Sequence, residues 1–130
     1  MTTETTAPLA IITVTYNPGE YLARFIGSLP DASDQGAQVV LADNGSTDGI
    51  PEAAAAEREG VDFLDTGGNI GYGAGMNAGA RWVRENRRVD DEFFLISNPD
   101  VTFSKGAIDQ MIACARRWPD AAAVGPRIVE

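Results

Sequence analysis

Four short apolar runs punctuate the chain, and each one ends in a polar or glycine-rich cluster. Ala10 to Thr15 runs into Tyr16-Asn17-Pro18-Gly19, and Gln38 to Ala42 runs into Asp43-Asn44-Gly45-Ser46-Thr47-Asp48-Gly49. Val61 to Leu64 leads to Asp65 and the glycine-rich stretch up to Gly73, and Glu92 to Ser97, the most apolar run, leads to Asn98-Pro99-Asp100. Short β-branched runs bounded by Gly, Pro and Asx residues predict strands. Between them the apolar spacing becomes helical. Tyr21, Leu22, Phe25, Ile26 and Leu29 share one face, and Pro30 is expected to close that helix. Pro51 suits a first helical position, followed by four alanines and a stop at Gly60. A third helix is expected from about Ala74 to Arg88. Ser104 is a candidate cap for a fourth, whose apolar face is Ile108, Met111, Ile112 and Ala115. Ala121 to Val124 reads as a fifth strand.

Strict strand–helix alternation predicts an α/β fold: an open, mostly parallel sheet with helices on both faces and right-handed crossovers. Residues 1–8 are Thr-rich and read as a disordered lead-in, leaving 9–130 as one domain. In such a sheet ligands bind beyond the carboxyl ends of the strands, so the four polar clusters should converge on one edge.

Composition narrows the chemistry. The net charge of −9 argues against a nucleic-acid partner, because no basic patch exists to displace counterions, and it weakens direct binding to anionic lipid. The absence of histidine removes histidine acid–base catalysis, serine–histidine triads and most zinc sites. Cys114 is alone, so no internal disulfide forms, and a small buried apolar role is expected for it. No long apolar run or signal pattern is present, so a cytoplasmic protein is expected.

Each cluster has a chemistry and a plainer alternative. Asp43 at a strand end could accept the imide N–H of uracil or thymine, while Asn44, Ser46 and Asp48 could bend the loop through side-chain-to-backbone bonds. Gly67 to Gly79 holds six glycines in thirteen residues and leads from a strand into a helix, which suits an anion such as a diphosphate, with Asn69 and Asn77 as added donors. It could equally be a close-packing loop. Within it, Gly73-Ala74-Gly75-Met76-Asn77-Ala78 fits the loose pattern G-x-G-x-x-A of a NAD-dependent oxidoreductase, but that fingerprint belongs after the first strand. Asp100 could ligate Mg²⁺ or Mn²⁺ whose other ligands are phosphate oxygens and water; alone, Asn98-Pro99-Asp100 is an ordinary turn. Tyr16-Asn17-Pro18 could stack on a base or merely turn the chain, and Tyr72 could cover a sugar or the loop. Arg81, Arg84, Arg87 and Arg88 read as a solvated helix face, and Trp82 and Trp118 as packing residues.

Together these pieces resemble the inverting family-2 glycosyltransferases of the GT-A, Rossmann-like fold. The resemblance rests on Val14-Thr15-Tyr16-Asn17, Ala42 to Gly49, Gly68-Asn69-Ile70-Gly71-Tyr72-Gly73 with Asn77 and Gly79, and Asn98-Pro99-Asp100-Val101, in that order over residues 9–128. Within the family it is most similar to the rhamnosyltransferase branch, to which Arg117-Trp118-Pro119 and Val124-Gly125-Pro126-Arg127-Ile128 also point. The resemblance implies a sugar transferase using a dTDP or UDP sugar, rhamnose first, and a glycan or polyprenyl-diphosphate-linked acceptor in cell-wall or polysaccharide synthesis. It assigns Asp43 to the pyrimidine, and Thr15, Tyr16 and Asn17 to the base and ribose pocket. Asn44 and Ser46 belong to the same nucleotide-binding set. Asn69, Gly71, Tyr72, Gly73 and Asn77 fall to the ribose, diphosphate or sugar, Asn98 to the ribose, and Asp100 to a divalent cation. Other members carry Asp-x-Asp where Asn98-Pro99-Asp100 stands, so metal dependence is expected to be weaker. The family's usual length implies a second half bearing the acceptor site and the base; at 130 residues this chain is expected to be the donor-binding half, with no catalytic base assignable. A non-catalytic nucleotide-sugar-binding fragment is the alternative. A lipid-linked acceptor would draw it to the inner face of the plasma membrane, and an uncovered sheet edge leaves room for a homodimer.

Overall fold

The structure is a computed structural model, and it describes residues 7–129. The lead-in expected at 1–8 lies outside that range except for Ala7 and Pro8, whose carbonyls accept from the Gln35 side chain and the Asp90 amide. Four strands, β1 (Leu9–Thr15), β2 (Ala37–Asp43), β3 (Val61–Asp65) and β4 (Phe94–Ile96), alternate with four helices, α1 (Tyr21–Ala32), α2 (Ile50–Glu57), α3 (Tyr72–Asn86) and α4 (Ala107–Arg117). The strands form one parallel sheet in the order β3-β2-β1-β4.

Strand period decides what each face buries. Leu9 and Ile11 of β1, with Val39 and Leu41 of β2, face a core made by Leu22, Phe25, Ile26 and Leu29 of α1, Ile108 of α4 and the partly buried Ile50 and Ala54 of α2. Ala10, Ile12 and Val40 face the opposite way, onto Met76 and Val83 of α3. The chain first moves outward from β1 to β3, then returns past β1 to β4. A right-handed crossover for that reversal must put its helix on the other face, which is where α3 lies. The reversal creates a switch point between β1 and β4, the place where open α/β sheets bind ligands.

Several local expectations change. Pro30 lies inside α1, which runs on to Ala32: in the last turn the missing N–H forfeits only one helical bond, and the chain leaves the helix at Ser33. α3 begins at Tyr72, two residues before Ala74. The cap of α4 is Gly106 with φ 74°, while Ser104 contributes its backbone carbonyl to Ala107 rather than its hydroxyl. Cys114 is exposed, because α4 turns Ile108, Met111 and Ile112 to the core and Cys114 away from it. The run 92–97 is not the most buried strand. β4 is a three-residue edge strand, and Phe94 and Ile96 remain 64% and 52% exposed because α3 stops short of covering them. Ala121 to Val124 forms no strand; it borders an apolar groove of about 290 Å³ along the outer side of β4, together with Leu95, Met111 and Ile112. No helix among the described residues is long and apolar enough to cross a membrane.

Candidate functional site

The loops leaving β1, β2 and β3 at their carboxyl ends are joined by side-chain hydrogen bonds between residues far apart in sequence. Asn17, with φ 47°, places its Oδ1 where it accepts from the amides of Thr47 at 2.7 Å and Asp48 at 3.2 Å, while its own N–H donates to Ser46 Oγ at 2.8 Å. Asp48 returns the tie: its Oδ2 accepts from the Gly19 amide at 3.2 Å and its Oδ1 from the Ile50 amide at the start of α2 at 3.0 Å. The β1–α1 and β2–α2 loops therefore behave as one unit.

Asp43 anchors that unit from below. Its Oδ1 accepts from the hydroxyls of Thr15 and Ser46, and its Oδ2 from the amides of Gly45 at 3.2 Å and Ser46 at 2.9 Å. Burial alone would push the carboxyl up; the donors Ser46, Thr15 and the Gly45 amide outweigh it and hold Asp43 below the ordinary carboxylate value. A carboxylate offers about four lone-pair sites, and here all four are taken inside the protein. Asp43, expected at the pyrimidine, and Thr15, fully buried, are thus bonded to each other at the floor of the joined loops.

Asn44 follows Asp43 but points to the opposite face, as strand alternation demands. It is 4% exposed, and both ends of its amide are engaged: Nδ2 donates to the Gly71 carbonyl at 3.0 Å, and Oδ1 accepts from Thr66 Oγ1 at 2.7 Å. Asn44 thus ties Thr66 to the Gly71 end of the glycine loop. Gly71 caps α3 with φ 89°, and its amide is received by Asn69 Oδ1 at 3.3 Å. Close packing sets where α3 begins. A Cβ on Gly75 would come within 2.9 Å of Val14 Cγ2, and one on Gly79 within 2.7 Å of Ile12 Cγ2, so only glycine lets the helix lie this near the sheet.

Other expected site residues are exposed at this edge. Tyr16 is 60% and Tyr72 51% exposed, one on each side of the joined loops. Asn69 and Gly73 are exposed beside Tyr72. Asn98 and Asp100 are exposed beyond β4, and among the described residues their side chains have no protein partner, while buried Ser97 ties the strand end through its amide to the Ile12 carbonyl and through its hydroxyl to the Asn98 carbonyl. Asn77 stands apart: it is exposed on α3 and lines a hollow with Ala80, Arg81, Arg84 and Glu85. Among the described residues no three carboxylate or cysteine side chains gather in metal-binding reach, and Asp100, expected to hold a cation, stands without a second carboxylate in its motif. That donor set does not fit a resident metal. It fits a hard cation whose remaining ligands arrive with a diphosphate.

Thr66 is the site residue that sequence reading passes over. A threonine at a strand end carries no local signal, and its role appears only because Asn44 reaches it from 22 residues away. Arg87, expected on a solvated face, pairs with Asp62 at 2.7 Å and lies over the Trp82 ring.

The family model for Glycosyl transferase family 2 matches residues 10–130. The chain is 42% identical over 132 residues to the N-acetylglucosaminyl-diphospho-decaprenol L-rhamnosyltransferase of Mycobacterium tuberculosis, covering 92% of this chain and 41% of that protein. A low-salt glycan biosynthesis hexosyltransferase of Haloferax volcanii is 27% identical over 103 residues, covering 79% of this chain and 31% of the other. Among solved structures, S. aureus TarS 1-349 in complex with UDP superposes with a TM-score of 0.69 at 20% identity, over 95% of this chain and 38% of that one. Its complex with UDP-GlcNAc gives 0.68 over 95% and 37%. These structural matches show a shared α/β fold. The chain spans about two fifths of the mycobacterial relative's length.

Proposed function

The chain belongs to glycosyl transferase family 2, and from that premise we propose that it forms the donor-binding part of an inverting sugar transferase, with a dTDP or UDP sugar as donor and rhamnose as the sugar. One observation carries the reading: the loops after β1, β2 and β3 are hydrogen-bonded into a single platform at the carboxyl edge, leaving Tyr16 and Tyr72 exposed on it. The mycobacterial relative is a rhamnosyltransferase whose name specifies an N-acetylglucosaminyl-diphospho-decaprenol, which supports a lipid-linked glycan as acceptor.

In this reading Tyr16 stacks on or borders the base, and Asn69, Gly73 and Tyr72 lie along the ribose, diphosphate and sugar. Asn98 takes the ribose. Asp100 would hold Mg²⁺ or Mn²⁺ together with the diphosphate, a cation that supplies charge neutralisation for the leaving group. An acceptor hydroxyl attacks the anomeric carbon as the bond to the diphosphate breaks, and the configuration inverts. The proton goes to a base that no residue of this chain supplies in our reading. The same reading places the chain in the cytoplasm at the inner face of the plasma membrane.

Calorimetric titration with dTDP, UDP, GDP and NAD, each with and without Mn²⁺, tests the proposal on the natural chain, Tyr16→Ala and Asp100→Ala. Metal-enhanced binding of dTDP or UDP, weakened in both variants, is expected. Binding of NAD alone would overturn the donor-site reading.

A further inference from the structure

Between the β2 end and the first turn of α3 lies a contact set centred on Thr66, a residue that the donor-site assignments leave without a role. Thr66 Oγ1 sits within 2.7 Å of Asn44 Oδ1, 2.8 Å of the Gly68 carbonyl and 3.0 Å of the Asp43 carbonyl. The Thr66 amide donates to the same Asp43 carbonyl at 3.1 Å, which extends the β2–β3 ladder by one rung. On its other side Asn44 donates to the Gly71 carbonyl, and that carbonyl also receives the first helical bond of α3, from Gly75 at 3.1 Å. The glycine loop is thus gripped at both ends, Thr66 and Gly71, by one buried side chain. The loop's other bonds each span two residues, from the Gly67 amide to Asp65 Oδ1, the Ile70 amide to the Gly68 carbonyl and the Gly71 amide to Asn69 Oδ1, and none of them reaches β2. Gly67, Gly68 and Gly71 have φ of 90°, 148° and 89°, and a Cβ at any of the three would meet open space, so packing does not restrain the segment.

We infer that Thr66 and Asn44 form a latch that fixes the glycine loop and the first turn of α3 against the sheet edge, and that both are positioning residues for nucleoside diphosphate binding. The inference rests on the proposed donor-site reading for its ligand, but the latch itself is a property of the free protein. A loop with three glycines at positive φ samples many conformations, and each unproductive one lowers apparent affinity by reducing the competent fraction. One hydroxyl and one amide, joined to strands already packed in the core, remove that freedom.

The test uses Thr66→Val, which keeps shape and loses the hydroxyl, Thr66→Ser, which restores it, and Asn44→Asp, which keeps the acceptor for Thr66 but sets a carboxylate against the Gly71 carbonyl. Amide hydrogen exchange is followed in the free protein, and dTDP and UDP are titrated with Mn²⁺. Thr66→Val and Asn44→Asp should speed exchange at Gly68 to Gly75 about ten-fold, leave β1 and β2 amides unchanged, and weaken nucleotide binding about ten-fold, with Thr66→Ser close to the natural chain. Unchanged exchange at Gly68 to Gly75 in Thr66→Val would overturn the latch. Faster exchange with full affinity would overturn its positioning role. If the natural chain binds neither nucleotide, the donor-site reading fails, and the exchange rates alone decide the latch.

Discussion

The Thr15 hydroxyl donates to Asp43 Oδ1 at 2.6 Å, across the last rung of the β1–β2 ladder, where Thr15 and Asp43 are register partners. Both side chains are buried, so the bond sits at the floor of the site and not on its surface. Removing the carboxylate strands the buried Thr15 hydroxyl and takes the acceptor from the Ser46 hydroxyl and the Gly45 and Ser46 amides. Asp43→Ala should cost about 3 kcal/mol in urea unfolding, because each unsatisfied buried donor costs about 1–3 kcal/mol. Asp43→Asn should cost less, as it keeps the shape and one acceptor oxygen. A loss under half a kcal/mol for Asp43→Ala would contradict this bracing role.

Acid should act through the same group. Burial would raise the Asp43 carboxyl, but its hydrogen bonds hold it lower, and Asp90 is likewise lowered against burial by the Glu92 and Phe93 amides, Gln35 and Arg116. A carboxyl whose folded value lies below its unfolded value of about 4 contributes its full stability above that pH and loses it as pH falls through the folded value. Thermal midpoints should therefore be steady between about pH 5 and 7 and fall below about pH 4. In Asp43→Asn the acid fall should be shallower; an identical slope would mean that other carboxyls control it.

Thr13 offers the opposite case. Its hydroxyl is fully buried in the middle of β1 and is the only buried side-chain polar atom without a hydrogen-bond partner among the described residues. Thr13→Val keeps the shape and removes an unsatisfied group, so it should stabilise the fold by about 1 kcal/mol. A raised denaturation midpoint with unchanged slope would show it.

Glycines of α3 should separate by what they face. Gly79→Ala drives a methyl to within 2.7 Å of Ile12 Cγ2, and Gly75→Ala to within 2.9 Å of Val14 Cγ2. Each should destabilise by about 1–3 kcal/mol, the cost of overpacking a core. Gly73 meets nothing within 4 Å, so Gly73→Ala should be neutral or stabilise by up to about 1 kcal/mol through helix propensity. Weaker nucleotide binding by this stable variant would mark direct contact at Gly73.

The outer side of β4 should govern association. Phe94 and Ile96 are more than half exposed on an edge strand flanked by an apolar groove. Such an edge invites pairing, and a lysine there blocks it. Phe94→Lys should lower the mass seen by light scattering at high concentration; if the natural chain is already a monomer there, the edge needs no such protection.

By itself the order of apolar and polar residues determined most of the fold: four strands, four helices, the parallel class, and the gathering of strand-end clusters on one edge. Period two and period 3.6 are local properties, and glycine, proline and Asx residues punctuate them locally. Tertiary structure decided the rest. The place of β4 at the sheet edge left Phe94 and Ile96 exposed in a run that reads as core. It also decided which polar residues brace and which remain free. Asp43 and Asn44 look alike as strand-end acceptors, yet alternation sends one to Thr15 and Ser46 and the other to Thr66 and Gly71. Thr15, Thr66 and Gly71 lie 22 to 28 residues from the side chains they meet, and spacing along a chain holds no record of those pairs until the sheet brings them together.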